Sequence, residues 1–327
     1  MVQPAQRQPI PRRAVTPCHP AQSIDKNGLM NKPRIAITAD LHWGLAKCQQ
    51  ANTALVTALR ENPPDLLLVG GDQGAEFHFT ECLNALATIG CPVGLVAGNH
   101  DIWVRADDAR GDSWQVFDQL LPMECARHGF HYLDQGPWIL PQWDLAIVGT
   151  MNWYDHSWTR EELAKRFPKD LWRLDQMCFT RGRHNDRVYV RWPEGRTNAS
   201  VTEELANRFQ GHLEMATRAA GKILVITHHP ALPELGFPST ARESDTEGPS
   251  MDHLLWEAFS GNSRVETIVR DNTGKISLVV SGHTHRWRSG SLDQTRLVNV
   301  GSDYPVKNLI RLNGLDGELE VEQFGPQ

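Results

Sequence analysis

Eight side chains able to ligate cations or move protons, Asp40, His42, Asp72, Asn99, His100, His228, His283 and His285, stand directly behind short apolar runs. Asp40-Leu41-His42 follows residues 34–39, Gly71-Asp72 follows 65–69, and Gly98-Asn99-His100-Asp101 follows 92–97. His228-His229-Pro230 follows 222–227, and Gly282-His283-Thr284-His285 follows 276–281. An apolar, β-branched run ended by turn chemistry reads as a buried strand, and open α/β sheets collect their ligands beyond the carboxyl ends of such strands. One histidine in that position is usually packing. Five imidazoles and two carboxylates at one sheet edge are different, because burying them together is costly unless something neutralises them. A pair of divalent ions does so. Mixed carboxylate, imidazole and amide donors suit Mn, Fe or Zn, whereas an all-oxygen Ca or Mg cage has no need of so many imidazoles. Two cations about 3.5–4 Å apart require a shared anion, a part that Asp72 fits.

The elements around these motifs follow a strand–helix alternation. Residues 46–61 carry Ala51, Leu55, Ala58 and Leu59 at helical spacing and are stopped by Asn62-Pro63-Pro64; a second helix is expected over 80–89. This rhythm predicts a mostly parallel sheet. Side chains two apart on a strand share a face, so Asp40 with His42, and His283 with His285, are expected to point the same way. A helix is expected over 113–128, weaker strands over 130–133, 138–140 and 145–148, and closing strands over 297–302, 308–312 and 319–324. The closing strands mean that the fold is not a simple doubly wound sheet. Thr159-Arg160-Glu161-Glu162 has capping-box spacing and predicts a helix running toward Met177; Ser200 starts another that ends near Gly221.

Composition excludes several classes. A net charge of −6 provides no general pull toward nucleic acid or anionic lipid, and no apolar run reaches the length of a membrane helix. Cys18, Cys48, Cys82, Cys91, Cys125 and Cys178 are irregularly spaced, as expected of reduced thiols in the cytoplasm. Residues 1–32 lack an apolar signal core and are expected to be a disordered extension; Arg7, Arg12 and Arg13 leave a transit peptide open, and Met30 is an alternative start. Residues 159–196 hold ten Lys or Arg against six Asp or Glu, a basic, aromatic stretch that either meets substrate or packs on the sheet. Trp43 and Trp103 are candidates to line a pocket, while His156 and His184 are expected at the surface.

In their order and content the motifs resemble the calcineurin-like metallophosphoesterase family: Asp-x-His, Gly-Asp, Gly-Asn-His-Asp/Glu, a lone His after a strand, and Gly-His-x-His. The resemblance runs from residue 35 to about 305. It implies an α/β fold, a four-layer αββα sandwich of two mixed sheets with the metal site at strand ends. The domain would cover 33–327, with an insertion at about 151–221. It further implies that Asp40, His42 and His285 hold one ion, that Asn99, His228 and His283 hold the other, and that Asp72 bridges. His229 is the alternative to His228. A hydroxide between the ions would attack phosphorus in line, with His100 stabilising or protonating the leaving oxygen and Asp101 orienting His100. The implied cofactors are two divalent ions, Mn²⁺ or an Fe/Mn pair, with Zn²⁺ as the alternative. The implied substrate is a phosphate mono- or diester on a small molecule or nucleotide. A non-catalytic scaffold of the same fold and a nuclease using the Arg-rich insertion are the competing readings. A scaffold is expected to lose ligands that this chain retains, and the tail after His285 is short for the capping domain of the double-strand-break nucleases. The second motif departs from the pattern, reading Gly71-Asp72-Gln73-Gly74-Ala75 without a further Asp.

Overall fold

The computed structural model describes residues 32–237 and 248–326. All but the last residue of the expected N-terminal extension, and the middle of the loop after the His228-His229 pair, lie outside them. Its strands are β1 (Arg34–Thr38), β2 (Leu66–Gly70), β3 (Val93–Val96), β4 (His131–Tyr132), β5 (Trp138–Leu140), β6 (Leu145–Thr150), β7 (Lys222–Thr227), β8 (Ile276–Ser281), β9 (Arg288–Leu292), β10 (Thr295–Asn299), β11 (Lys307–Asn313) and β12 (Glu320–Phe324). They form two six-stranded sheets, in the orders β12-β11-β1-β2-β3-β4 and β5-β6-β7-β8-β10-β9. Each sheet has a parallel centre with antiparallel pairing at its flank: β1, β2, β3 and β4 run parallel while β11 and β12 complete the sheet through antiparallel pairings. In the second sheet β6, β7, β8 and β10 run parallel between antiparallel β5 and β9.

Strand alternation sorts the apolar side chains into layers. Ile35 and Ile37 of β1 and Leu66 and Leu68 of β2 pack against Ile147, Leu224, Ile226, Leu278 and Val280 of the other sheet. Their neighbours Ala36, Leu67 and Val69 face the other way, onto Leu55, Leu59, Leu83 and Leu86 of the helices Ala46–Glu61 and Phe77–Ala87. Ala146, Val148, Val225 and Val279 face Ala206, Phe209 and Leu213 of the helix Asn198–Ala219 and Val265 and Val269 of Ser263–Arg270. The order helix, sheet, sheet, helix is the expected αββα sandwich. Burying a Leu or Ile contributes about 1.5–3 kcal/mol, and a one-residue slip would turn a strand's whole inner face outward. Register is therefore held firmly, and with it the position of each strand end.

Several local expectations are corrected. Thr159 does not cap its helix; its hydroxyl donates to the Leu254 carbonyl at 2.8 Å. The helix Arg160–Arg166 then stops at Phe167, the residue before Pro168, instead of running on to Met177. Thr197, not Ser200, is the N-cap of the long helix, and the two side chains close a capping box. The helix expected over 113–128 contains a π turn, Val116–Leu120, ahead of Pro122; the Phe117 and Asp118 carbonyls accept from Tyr132 and Gln135 instead. Strand β9 was not anticipated, because Arg288-Ser289-Gly290-Ser291-Leu292 is a largely exposed edge with no apolar alternation. No helix among the described residues is long and apolar enough to cross a membrane. Among them, Cys48, Cys82, Cys91, Cys125 and Cys178 are free thiols.

Candidate metal centre

The motif residues lie beyond their strands rather than on them. Strand β1 ends at Thr38 and β8 at Ser281, and Asp40, His42, Asp72, His283 and His285 all have φ between 46° and 70°. Asp and His tolerate this left-handed region better than most residues, and such backbone collects at functional sites. Asp40 and His42 do converge, in one group with His285, but the expectation for the last motif is corrected: His283 turns toward His228 and His229, with ring centroids 5.1 and 4.2 Å away, while His285 turns toward His42, 5.1 Å away. Backbone bonds hold the loops side by side, Asp40 N–H to Gly71 O at 3.0 Å, His42 N–H to Asp72 O at 2.8 Å and Gly282 N–H to His228 O at 3.0 Å. Gly71, at φ +88°, lies against the His228 ring, where a Cβ would come within 2.4 Å.

Two groups of donors result. Asp40, His42 and His285 form one, with His42 Nε2 and His285 Nε2 3.1 Å apart and Asp40 Oδ1 3.6 Å from His285 Nε2. The other surrounds His228, whose Nε2 faces Asn99 Oδ1 at 2.9 Å while its Nδ1 lies 3.0 Å from the Gly70 carbonyl. His228, His229 and His283 bring a ring nitrogen each within 4.8 Å of one another. Asp72 stands between the groups: Oδ1 is 3.5 Å from His228 Nε2 and Oδ2 is 3.6 Å from His42 Nε2. His229 reaches the Met151 carbonyl through Nδ1, and its buried Nε2 has no hydrogen-bond partner.

The electrostatics suit a bound cation. Burial pushes the Asp40 carboxyl up to about 7 and the Asp72 carboxyl well above the usual range. Burial also pushes His42 and His283 well below the ordinary imidazole value and His285 down to about 4. Facing nitrogen and oxygen lone pairs within hydrogen-bond distance repel one another unless a proton or a cation lies between them. The donor set thus suits divalent transition ions with mixed N and O ligands.

His100 faces the same space. Its backbone N–H donates to Asp72 Oδ1 at 2.9 Å, and its ring stacks on Trp103 with centroids 3.6 Å apart. Asp101 does not reach the His100 ring. Its carboxylate accepts the Gly98 and Gly74 N–H groups, at 2.7 and 2.8 Å, and so ties the third motif's loop to the second's. A cavity of about 510 Å³ opens over the centre, lined by Asp72, Asn99, His100, Trp103, His283 and His285 on the sheet side. Phe179, Arg183, His184, Phe237 and Trp256 line it as well. Trp43 packs against the core on the helix side of the first sheet and lines a separate, smaller cavity of about 210 Å³ with Gly44, Gln49, Asn52 and Glu81.

His156 and His184, expected at the surface, are buried among Tyr154, Phe259 and Phe179. The basic stretch wraps aromatic groups whose burial its irregular pattern did not reveal. Asp186 and Lys307 were also missed. Asp186 lies in an aperiodic stretch, and Lys307 opens a closing strand, where its fully buried ammonium donates to the Asp40 and Asp303 carbonyls.

Solved structures share this architecture. The phosphopantetheinyl hydrolase PptH from Mycobacterium tuberculosis is 17% identical with a TM-score of 0.60, over 83% of this chain and 89% of that one. The protein TT1561 of Thermus thermophilus is 12% identical with a TM-score of 0.51, over 89% and 98%. A dimetal phosphatase from Danio rerio is 12% identical with a TM-score of 0.50, over 90% and 96%. At these identities the likeness is one of fold. No curated protein sequence matches the chain. The family model for calcineurin-like phosphoesterase matches residues 33–287, and with the motif residues gathered as described, the chain belongs to the calcineurin-like phosphoesterase family.

Proposed function

We propose that the protein is a dinuclear metal-dependent hydrolase of a phosphate mono- or diester. The observation that carries this reading is the division of the Asp72 oxygens, one toward His228 and the other toward His42, 3.5 and 3.6 Å away. On this reading Asp40, His42 and His285 would hold one ion and Asn99, His228 and His283 the other, with Asp72 offering an oxygen to each group. His228 is preferred over His229 because its Nε2 also adjoins Asp72 and Asn99. When bound, two such ions lower the pKa of water and stabilise charge on phosphoryl oxygens.

The chain's own groups do the rest. His100, pinned by Trp103 and Asp72, presents its ring toward the substrate space and donates to the leaving oxygen. Lys307 holds the loop of Asp40 from beneath. The aromatic part of the lining suits an organic substituent, since Phe179 and Trp256 stack at 4.2 Å and Phe237 adjoins Trp256 at 5.1 Å. A phosphorylated small molecule or nucleotide with a flat or apolar part matches that lining. Within the basic stretch Arg173 is paired with Asp170, and Arg196 with Glu204 and the Trp114 ring, while Arg183 lines the cavity, where it can meet a phosphate group. The test is elemental analysis after Mn²⁺ loading, with a panel of aryl phosphomonoesters, aryl phosphodiesters, nucleotides and single-stranded nucleic acid. Two ions per chain and turnover of a mono- or diester are expected. A folded protein with no bound metal and no turnover would overturn the reading.

A further inference from the structure

The basic stretch delivers one carboxylate into the metal centre. Asp186 is 1% exposed and every polar contact of its side chain is internal. Its Oδ1 accepts from Asn99 Nδ2 at 2.8 Å and from Trp103 Nε1 at 2.7 Å, and its Oδ2 accepts from the Tyr154 hydroxyl at 2.9 Å. His184 Nδ1 lies 3.4 Å from Oδ2. Asp186 thus reaches both functional residues of the third motif, Asn99 directly and His100 through the indole that stacks on it at 3.6 Å.

We propose that Asp186 is a positioning residue of the metal centre, setting which end of the Asn99 amide faces His228 and Asp72. The chemistry is one of exclusion. A carboxylate oxygen only accepts, so only Nδ2 of Asn99 can face Asp186, and Oδ1 must face His228 Nε2, 2.9 Å away. With the amide reversed, two oxygens would oppose each other in a buried space and an NH₂ group without a free lone pair would face the ion. Partners of this kind orient a metal ligand without touching the metal. The same oxygen holds the Trp103 indole, so one side chain sets both the amide and the imidazole plane of the motif. The stretch that carries Asp186 is on this account part of the centre, whereas the helix Asn198–Ala219 that follows it belongs to the outer layer of the second sheet.

This rests on the metal-centre reading above, and the test separates the two. Chelator-stripped full-length protein is titrated with Mn²⁺ by calorimetry as wild type, Asp186→Asn and Asp186→Leu, with circular dichroism confirming the fold. Wild type is expected to bind two ions. Asp186→Asn should stay within about threefold, since its Oδ1 can accept from Asn99 and Trp103 while its NH₂ meets the Tyr154 oxygen. Asp186→Leu fills similar space without an acceptor, and one ion should bind about 10–100-fold more weakly while the other is retained. A folded Asp186→Leu that binds both ions as tightly as wild type overturns the proposal. An Asp186→Asn as weak as the Leu variant also overturns it, because charge rather than amide orientation would then matter. Should Asp186→Leu not fold, hydrogen exchange of asparagine-labelled wild type decides: a protected Asn99 side-chain amide is expected, and one exchanging at the free rate overturns it. Wild type that binds no Mn²⁺ removes the metal-centre reading itself, and this inference with it.

Discussion

Gly98 and Asp72 meet so closely that a Cβ on residue 98 would stand 2.1 Å from Oδ1 of Asp72 and 2.3 Å from its backbone nitrogen. The third motif's glycine is thus a space requirement of the second motif's carboxylate.

Replacing that glycine should damage the centre out of proportion to the fold. Gly98→Ala must displace Asp72, so Mn²⁺ affinity is expected to fall by about tenfold or more. The loss of stability should be about 1–3 kcal/mol, as for other overpacked sites. Calorimetry and urea unfolding measure the two; unchanged metal binding would show that the loop can move aside.

Asp72→Asn should separate stability from function. In chelator the variant is expected to melt higher than wild type, because it removes a carboxylate that burial, and then the neighbouring Asp186 carboxylate, disfavour. With Mn²⁺ at 100 times its dissociation constant, wild type should gain about 2.7 kcal/mol per ion, most of which the variant lacks. Its hydrolysis of aryl phosphoesters should fall by about 100-fold or more. A variant that keeps wild-type turnover would show that Asp72 is not shared between the ions.

His100→Ala should discriminate by leaving group. Esters with poor leaving groups need a donor at the departing oxygen and should lose about 10²–10⁴-fold in kcat, whereas activated aryl esters lose far less. Equal losses across such a series would assign His100 a role in binding instead.

Asp134 makes stability depend on pH away from the centre. Its carboxylate accepts the Ala97 and Met151 N–H groups, at 2.9 and 2.6 Å, and so joins the ends of β3 and β6 across the two sheets. Burial pushes it up to about 7 from an ordinary 3.8. A raised folded-state value means that its contribution is full below the unfolded value and is lost as pH climbs through about 7. Asp134→Asn leaves one N–H without an acceptor, costing about 1–3 kcal/mol. The gap between wild type and variant in urea unfolding should therefore be wide near about pH 5 and narrow by about pH 8. A constant gap would mean that Asp134 does not titrate in this range.

Legibility followed the range of the interactions. The strands that lead into the motifs could be read from short apolar runs, because burial on both faces demands them. The same pattern failed for β9, an exposed edge, and at Thr159, whose hydroxyl is drawn to Leu254 by a contact distant in sequence. His283 and His285 were located by sequence but not oriented by it, since their left-handed backbone interrupts the alternation on which the expectation relied.

By itself the sequence determined the donor inventory and its order along the chain: carboxylate and imidazole, carboxylate, amide and imidazole, then the later histidines, each group behind a strand. That much is local, because apolar alternation and turn residues act over a few positions. Tertiary structure decided which donors share a group, how the Asp72 oxygens divide, and that Asp186 reaches Asn99 from 87 residues away. Those relations depend on where two packed sheets bring their edges and on which buried donor needs an acceptor, and no spacing along the chain encodes either.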